Sequence, residues 1–161
     1  MLLHVNPSSQ QMHLYKDSNL IVSYEISTAA NGLGEEKNSY ATPRGWHYIR
    51  AFVGEEMPLG AVFVGRRWTK EIFNNELFIN NKGRDWILTR ILWLSGLENG
   101  LNRLGNVDTM QRYIYIHGSP SQRMKLRPMT RGCIGMYQDD IINLFDRLVI
   151  GTRVFIGEKL K

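Results

Sequence analysis

Apolar runs in this chain last about one strand length before Gly, Asn, Asp or Pro interrupts them, and that spacing commits the chain to short, sharply turned β-strands. "MHLYKDSNLIVSYEIS" sets the pattern: Met12–Tyr15 and Leu20–Ile26 flank the turn-rich Lys16–Asn19, which predicts a hairpin. Leu20, Val22, Tyr24 and Ile26 share one face at period two, with Ile21 on the other. "AANGLGEEKNSYATPRG" breaks both periods and reads as loop, and "WHYIRAFV" and "LGAVFVG" read as two further strands. "FNNELFINNKGRDW" reads as an exposed hairpin or lid over residues 66–112, where the periodic signal weakens. "WILTRILWLSG" reads as strand, because Gly96 and Gly100 end it quickly and Thr89 and Ile91 are β-branched.

Tyr113–His117 alternates cleanly. Its isoleucines, 114 and 116, turn to the core, while Tyr113, Tyr115 and His117 share the other face, the histidine at the strand's end. "QDDIINLFDRLVIGT" is the one clear helix: Ile141, Leu144, Phe145 and Leu148 follow helical spacing, Asp139 or Asp140 caps the start and Gly151 closes the end. "TRVFIG" returns as a last strand. The expectation is a mainly-β fold, one domain over residues 1–161, with a helix in the C-terminal half.

Composition narrows the function less than the fold. Lys and Arg outnumber Asp and Glu by 20 to 15, but they are scattered and no nucleic-acid motif accompanies them. A solvated basic surface or an anionic small substrate accounts for the excess as well as nucleic acid does. No apolar run is long enough to span a membrane and the N-terminus has no signal-peptide pattern, so neither membrane nor nucleic acid is an expected partner and a cytoplasmic location is expected, or a periplasmic one if a leader was removed. His4, His13 and His47 have no ligand spacing with Cys133, so no metal is expected.

Cys133, the one cysteine, cannot form an internal disulfide. From the residues alone, two readings stay open. It is a buried small hydrophobe, the ordinary fate of a free thiol, or a nucleophile whose base is His117. The Pro-containing loop between the two is long enough to double back, and Gly118 and Gly132 permit tight turns there.

His117-Gly118-Ser119, then Thr130-Arg131-Gly132-Cys133-Ile134, Met136 and "GTRVFI" resemble the signature of the L,D-transpeptidase (YkuD) family of peptidoglycan enzymes. "NSYATPRGWHYI" is similar to that family's Ser-x-x-Thr-Pro-x-Gly-x-Phe/Tyr-x-Ile segment, so the resemblance spans nearly the whole chain. It implies a YkuD-like catalytic domain of β-sandwich or barrel-like sheets without cofactor, with Cys133 as nucleophile and His117 as general base. Gly118 or Ser119 would fix the imidazole tautomer and Thr130 would brace the cysteine loop. The Gly132 and Cys133 amides would form an oxyanion hole, with Tyr115 as helper. Arg66, Arg67, Arg90 and Arg131 are candidate partners for stem-peptide carboxylates, against a plain surface role for each. The implied substrate is the muropeptide stem, cleaved between meso-diaminopimelate and D-Ala, and carbapenems would be covalent inhibitors. The absent leader favours water as acceptor, an L,D-carboxypeptidase of murein recycling most like the leaderless cytoplasmic members, over a crosslinking transpeptidase. A non-catalytic muropeptide-binding module is the alternative of another class. Two positions depart from the pattern: Arg131 where many members have histidine, and Gly135 where many have arginine or asparagine.

Overall fold

A computed structural model describes residues 1–160. Its strands are β1 (Leu2–Asn6), β2 (Gln11–Lys16), β3 (Asn19–Ser27), β4 (Gly45–Val53), β5 (Ala61–Val64), β6 (Arg67–Ile72), β7 (Ile87–Gly96), β8 (Tyr115–Gly118), β9 (Ile134–Met136) and β10 (Arg153–Ile156). Three helices interrupt them: α1 (Asn75–Asn80), α2 (Ser121–Met124) and α3 (Gln138–Phe145).

All ten strands join one sheet in the order β4-β10-β1-β2-β3-β9-β8-β7-β5-β6, and an added β4–β7 pairing closes its larger part into a barrel. Closure leaves β4 without a free edge, which removes a template for aggregation. β7 makes closure workable because its two halves serve different partners. Ile91 to Gly96 pair with β4, whereas Ile87 and Leu88 pair with β5. A register shift between Leu88 and Ile91, with Thr89 at φ +76°, marks the bulge at the junction.

The barrel interior holds Leu3, Ile26, Leu92, Ile116 and Ile134 among others, and α3 adds Ile141, Leu144 and Phe145, with Leu148 just beyond its end, to the same core. Truncating one such residue, Ile116→Ala for instance, would cost about 2–5 kcal/mol. A smaller cluster, Val62, Trp86 and Leu88 with Phe73, Leu77 and Phe78 against it, lies under the β5–β6 arm.

The hairpin of β2 and β3, the strands β4, β5 and β7, and the return strand β10 form where the sequence pattern puts them. Leu20 does not follow its face: it is 56% exposed, and the apolar side is covered only from Val22 onward, beyond a bulge at Leu14/Tyr15. The 73–86 segment is not a hairpin. Asn74 caps α1 by accepting from Leu77 N, and Phe73, Leu77 and Phe78 then pack against buried Trp86. The hairpin lies just before it, between β5 and β6. α3 starts from Tyr137 without a side-chain cap; Asp139 and Asp140 occupy its first turn, where their charge favours the helix dipole. It ends at Phe145, six residues short of Gly151.

Candidate active site

The site is built on two parallel neighbours at the barrel wall, β8 and β9, paired with His117 opposite Gly135. Cys133 sits just before β9, so the register brings it level with Tyr115 and near His117. Both residues line one cleft of about 570 Å³, together with Tyr115, Ser119, Thr130 and Arg131. β8 lies between β7 and β9 rather than at an edge, and all four of its residues are buried.

His117 is held in one tautomer. Its Nδ1 lies 2.7 Å from the Gly118 carbonyl, so Nδ1 carries the proton and donates, leaving Nε2 with a free lone pair. Burial lowers the pKa of His117, opposed by the charge of Asp85 and by the Gly118 bond. A neutral imidazole at neutral pH follows. The carbonyl of Gly118 fixes the ring, and Ser119, though buried beside it, does not. Gly118 tolerates no side chain, because a Cβ there would collide with the carbonyl of Leu88 on β7.

Cys133 is half-buried, and its Sγ accepts from Tyr115 N at 3.3 Å and donates to Tyr113 O at 3.4 Å. The thiol is therefore turned toward the β8 backbone, and its hydrogen goes to Tyr113 rather than to His117. Burial pushes its pKa up to about 12, with the Tyr115 amide and Arg112 opposing. The resting group is a thiol, not a thiolate.

The cysteine loop is braced from two sides. Thr130 Oγ1 donates to Cys133 O at 2.6 Å and accepts from Gly132 N at 3.2 Å. Fully buried Thr42 donates to Gly132 O at 3.0 Å, which gives the "TPRG" segment a physical task. Gly132 has φ +127°, and a Cβ on it would come within 3.1 Å of Ala41 O and Ile114, so no other residue fits. Because Gly132 N–H is committed to Thr130, it is not an oxyanion donor as the resemblance implied. Tyr115 is better placed: its hydroxyl oxygen accepts from Arg66 at 2.8 Å, leaving the O–H free to donate into the cleft.

The four arginines separate. Arg66 and Arg131 line the cleft, Arg66 also stacking over Trp93 at 4.4 Å. Arg67 is exposed on β6 outside it. Arg90 is a correction: it is 8% exposed, donates to Met57 O and Thr89 O, lies over the Phe145 ring, and does not reach the cleft. Gly135 also stays outside; a side chain there would point at Ser119 and Met124, with a Cβ 3.3 Å from Ser119 Cβ. Sequence reasoning missed Asp85, Arg112 and Arg123, all of which line the cleft. The one available signal was for Arg112, which directly precedes the alternating run ending at His117.

The family model of the L,D-transpeptidase catalytic domain, YkuD, matches residues 1–156. The chain belongs to that family. Solved L,D-transpeptidases have the same fold. One from Mycobacterium smegmatis is 14% identical with a TM-score of 0.55, covering 96% of this chain and 57% of that one. One from Xylanimonas cellulosilytica is 16% identical with a TM-score of 0.56, covering 96% and 59%. L,D-transpeptidase 3 of Mycobacterium tuberculosis, solved with a faropenem-derived adduct, is 12% identical with a TM-score of 0.57, covering 98% and 60%. This YkuD domain thus spans under two thirds of the solved chains it matches. Comparison with curated proteins returns no significant sequence match.

Proposed function

We propose that this YkuD domain is a cysteine acyltransferase acting on the peptidoglycan stem peptide, with Cys133 as nucleophile and His117 as general base. The observation that carries the reading is one cleft holding the thiol, an imidazole with Nδ1 tied and Nε2 free, and a cationic lining suited to peptide carboxylates. The substrate class comes from the family.

In the first half-reaction the thiol leaves Tyr113 O and turns to His117. Nε2 takes its proton as Sγ attacks the carbonyl at the L-centre of meso-diaminopimelate. The oxyanion is received by the Cys133 N–H and the Tyr115 O–H. Burial raises the Tyr115 pKa, against the opposing charge of Arg66, so the phenol keeps its hydrogen at neutral pH. The C–N bond to D-Ala then breaks, and His117 returns the proton to the leaving amine. Water attacks the thioester with His117 as base, the C–S bond breaks, and the thiol is regenerated as the tripeptide departs.

Water is the acceptor we propose, giving L,D-carboxypeptidase activity of the kind murein recycling uses. Water reaches a thioester on a half-buried sulfur without being bound, whereas an amine must be held in place. Solved relatives carry imipenem and a faropenem-derived adduct, and acylation of Cys133 by such β-lactams is expected.

Disaccharide-tetrapeptide, incubated with and without an added D-amino acid, tests the reading by mass spectrometry. Tripeptide and free D-Ala should dominate, and Cys133→Ser should retain at most a few per cent. Exchange or crosslinking faster than hydrolysis would replace the water reading with transpeptidation. Binding without any product would leave a muropeptide-binding module.

A further inference from the structure

Four guanidinium groups and one carboxylate line the cleft: Arg66, Arg112, Arg123, Arg131 and Asp85. Three of the cations are committed to the protein itself. Arg66 is bound to Tyr115. Arg112 donates to Ala41 O at 2.7 Å and to Gly34 O at 3.3 Å. Arg123 donates to Lys82 O at 2.5 Å and Arg84 O at 2.7 Å. Arg131 and Asp85 are exposed and, among the described residues, their side chains make no ion pair and no hydrogen bond. The other three guanidiniums keep their charge but are held by neutral oxygens, so the two charged side chains free to swing onto a ligand are one of each sign.

Asp85 is also held in place. The Arg84 side chain meets Glu71 through two hydrogen bonds of 2.9 and 3.1 Å and lies 4.5 Å over the Trp86 ring. The Arg84 carbonyl is taken by Arg123, and Trp86 is 1% exposed. A carboxylate between two anchored neighbours loses little freedom when a ligand binds. Arg123 is within electrostatic reach of both Asp85 and Arg131, and Asp85 also acts on His117 and Cys133. Beside the reacting pair, its charge opposes ionisation of the thiol. In the free protein that placement gains nothing.

Resting on the stem-peptide reading above, we infer that Asp85 is a specificity-determining residue that requires a free ammonium group on the donor peptide, while Arg131 takes the carboxylate beside it. The ammonium forms a charge-assisted hydrogen bond with Asp85. The two opposite charges fit an amino-acid end, –CH(NH3+)COO−, on the side chain of the third stem residue. They disfavour the same side chain once its amine is acylated.

Cys133→Ala protein, which cannot turn substrate over, is titrated calorimetrically with two stem tetrapeptides, one with a free amine at the end of the third side chain and one with that amine acetylated. Acetylation should weaken binding about tenfold in this background, and less than about twofold when Asp85→Asn is added. In turnover by protein with Cys133 intact, Asp85→Asn should raise KM for the free-amine peptide and leave kcat on its pH plateau in place, while the acid limb moves to lower pH as His117 loses a nearby negative charge. A fall in plateau kcat on both peptides would overturn the assignment, because Asp85 would then act through His117. Equal binding of the two peptides before Asp85 is changed overturns it while the stem-peptide reading stands. Binding of neither peptide overturns the stem-peptide reading, and the assignment with it.

Discussion

Cys133 should be slow toward iodoacetamide because it rests as a neutral thiol, and the size of the effect follows from its burial. Its pKa is pushed from 9 up to about 12, because the sulfur is packed against β8 and only one amide and a distant guanidinium favour the anion. Three pH units correspond to about a thousandfold less thiolate near neutral pH than in the unfolded chain. Measured from pH 6 to 11, the native alkylation rate should rise about tenfold per unit and show no plateau below pH 10. The denatured chain should level off near the ordinary thiol value. The mechanism then needs His117 to take the proton during attack, so turnover should outpace what the thiolate fraction allows. His117→Ala should slow acylation by about 10²–10⁴-fold while leaving the alkylation profile unchanged. A native plateau below pH 8 that disappears in His117→Ala would refute this reasoning, because the pair would then be a preformed thiolate–imidazolium.

His47 is fully buried between Gly45 O and Thr109 Oγ1, each 3.0 Å away, and burial pushes its pKa from 6.5 to about 4. Its folded pKa lies below the unfolded one, so its contribution is present above pH 6.5 and about 3 kcal/mol of stability is lost as pH falls toward 4. Urea titrations at pH 7 and 4.5 should show that part of the acid loss missing in His47→Gln; an equal loss in both proteins counts against it. Thr130→Val removes both Thr130 hydrogen bonds within the cysteine loop, leaving the Thr42 brace, and should lower stability by about 1–3 kcal/mol and slow acylation of Cys133 by a β-lactam. Thr130→Ser should recover both, and a valine variant with unaltered acylation would deny the loop its role.

Period-two alternation made most strands legible, because a half-buried strand writes its two environments into alternate residues. Isoleucines 114 and 116 announced the strand that carries His117, and the Thr-x-Gly-Cys run, through its family resemblance, pointed to the cysteine loop that lines the cleft. Closure of the barrel was not legible, since β4 and β7 meet across more than thirty residues that leave no local trace. α1 was hidden because its helical contacts depend on Trp86, which follows it. Arg66 and Arg90 look alike as sequence, yet Arg66, in the β5–β6 turn, faces the cleft and Arg90, beside the bulge at Thr89, is sealed under Phe145. The commitment of Gly132 N–H to Thr130 depends on a side-chain rotamer, which no spacing encodes.

The β5–β6 arm and α1 pair with the first residues of β7 through only Val62 with Leu88 and Phe63 with Ile87, and they share two small clusters with β7 and β8 and the side-chain bonds of Arg66 and Arg123. With so few ladder pairs, this arm should open as a cooperative unit below the free energy of global unfolding. Its amides from Ala61 to Trp86 should exchange with deuterium together, ahead of those in β1 and β10 inside the closed barrel. Arg66 and Asp85 both ride on this arm, so one local opening would carry two walls of the cleft away at once. Catalysis and ligand exchange would then be timed by an unfolding equilibrium rather than by a hinge.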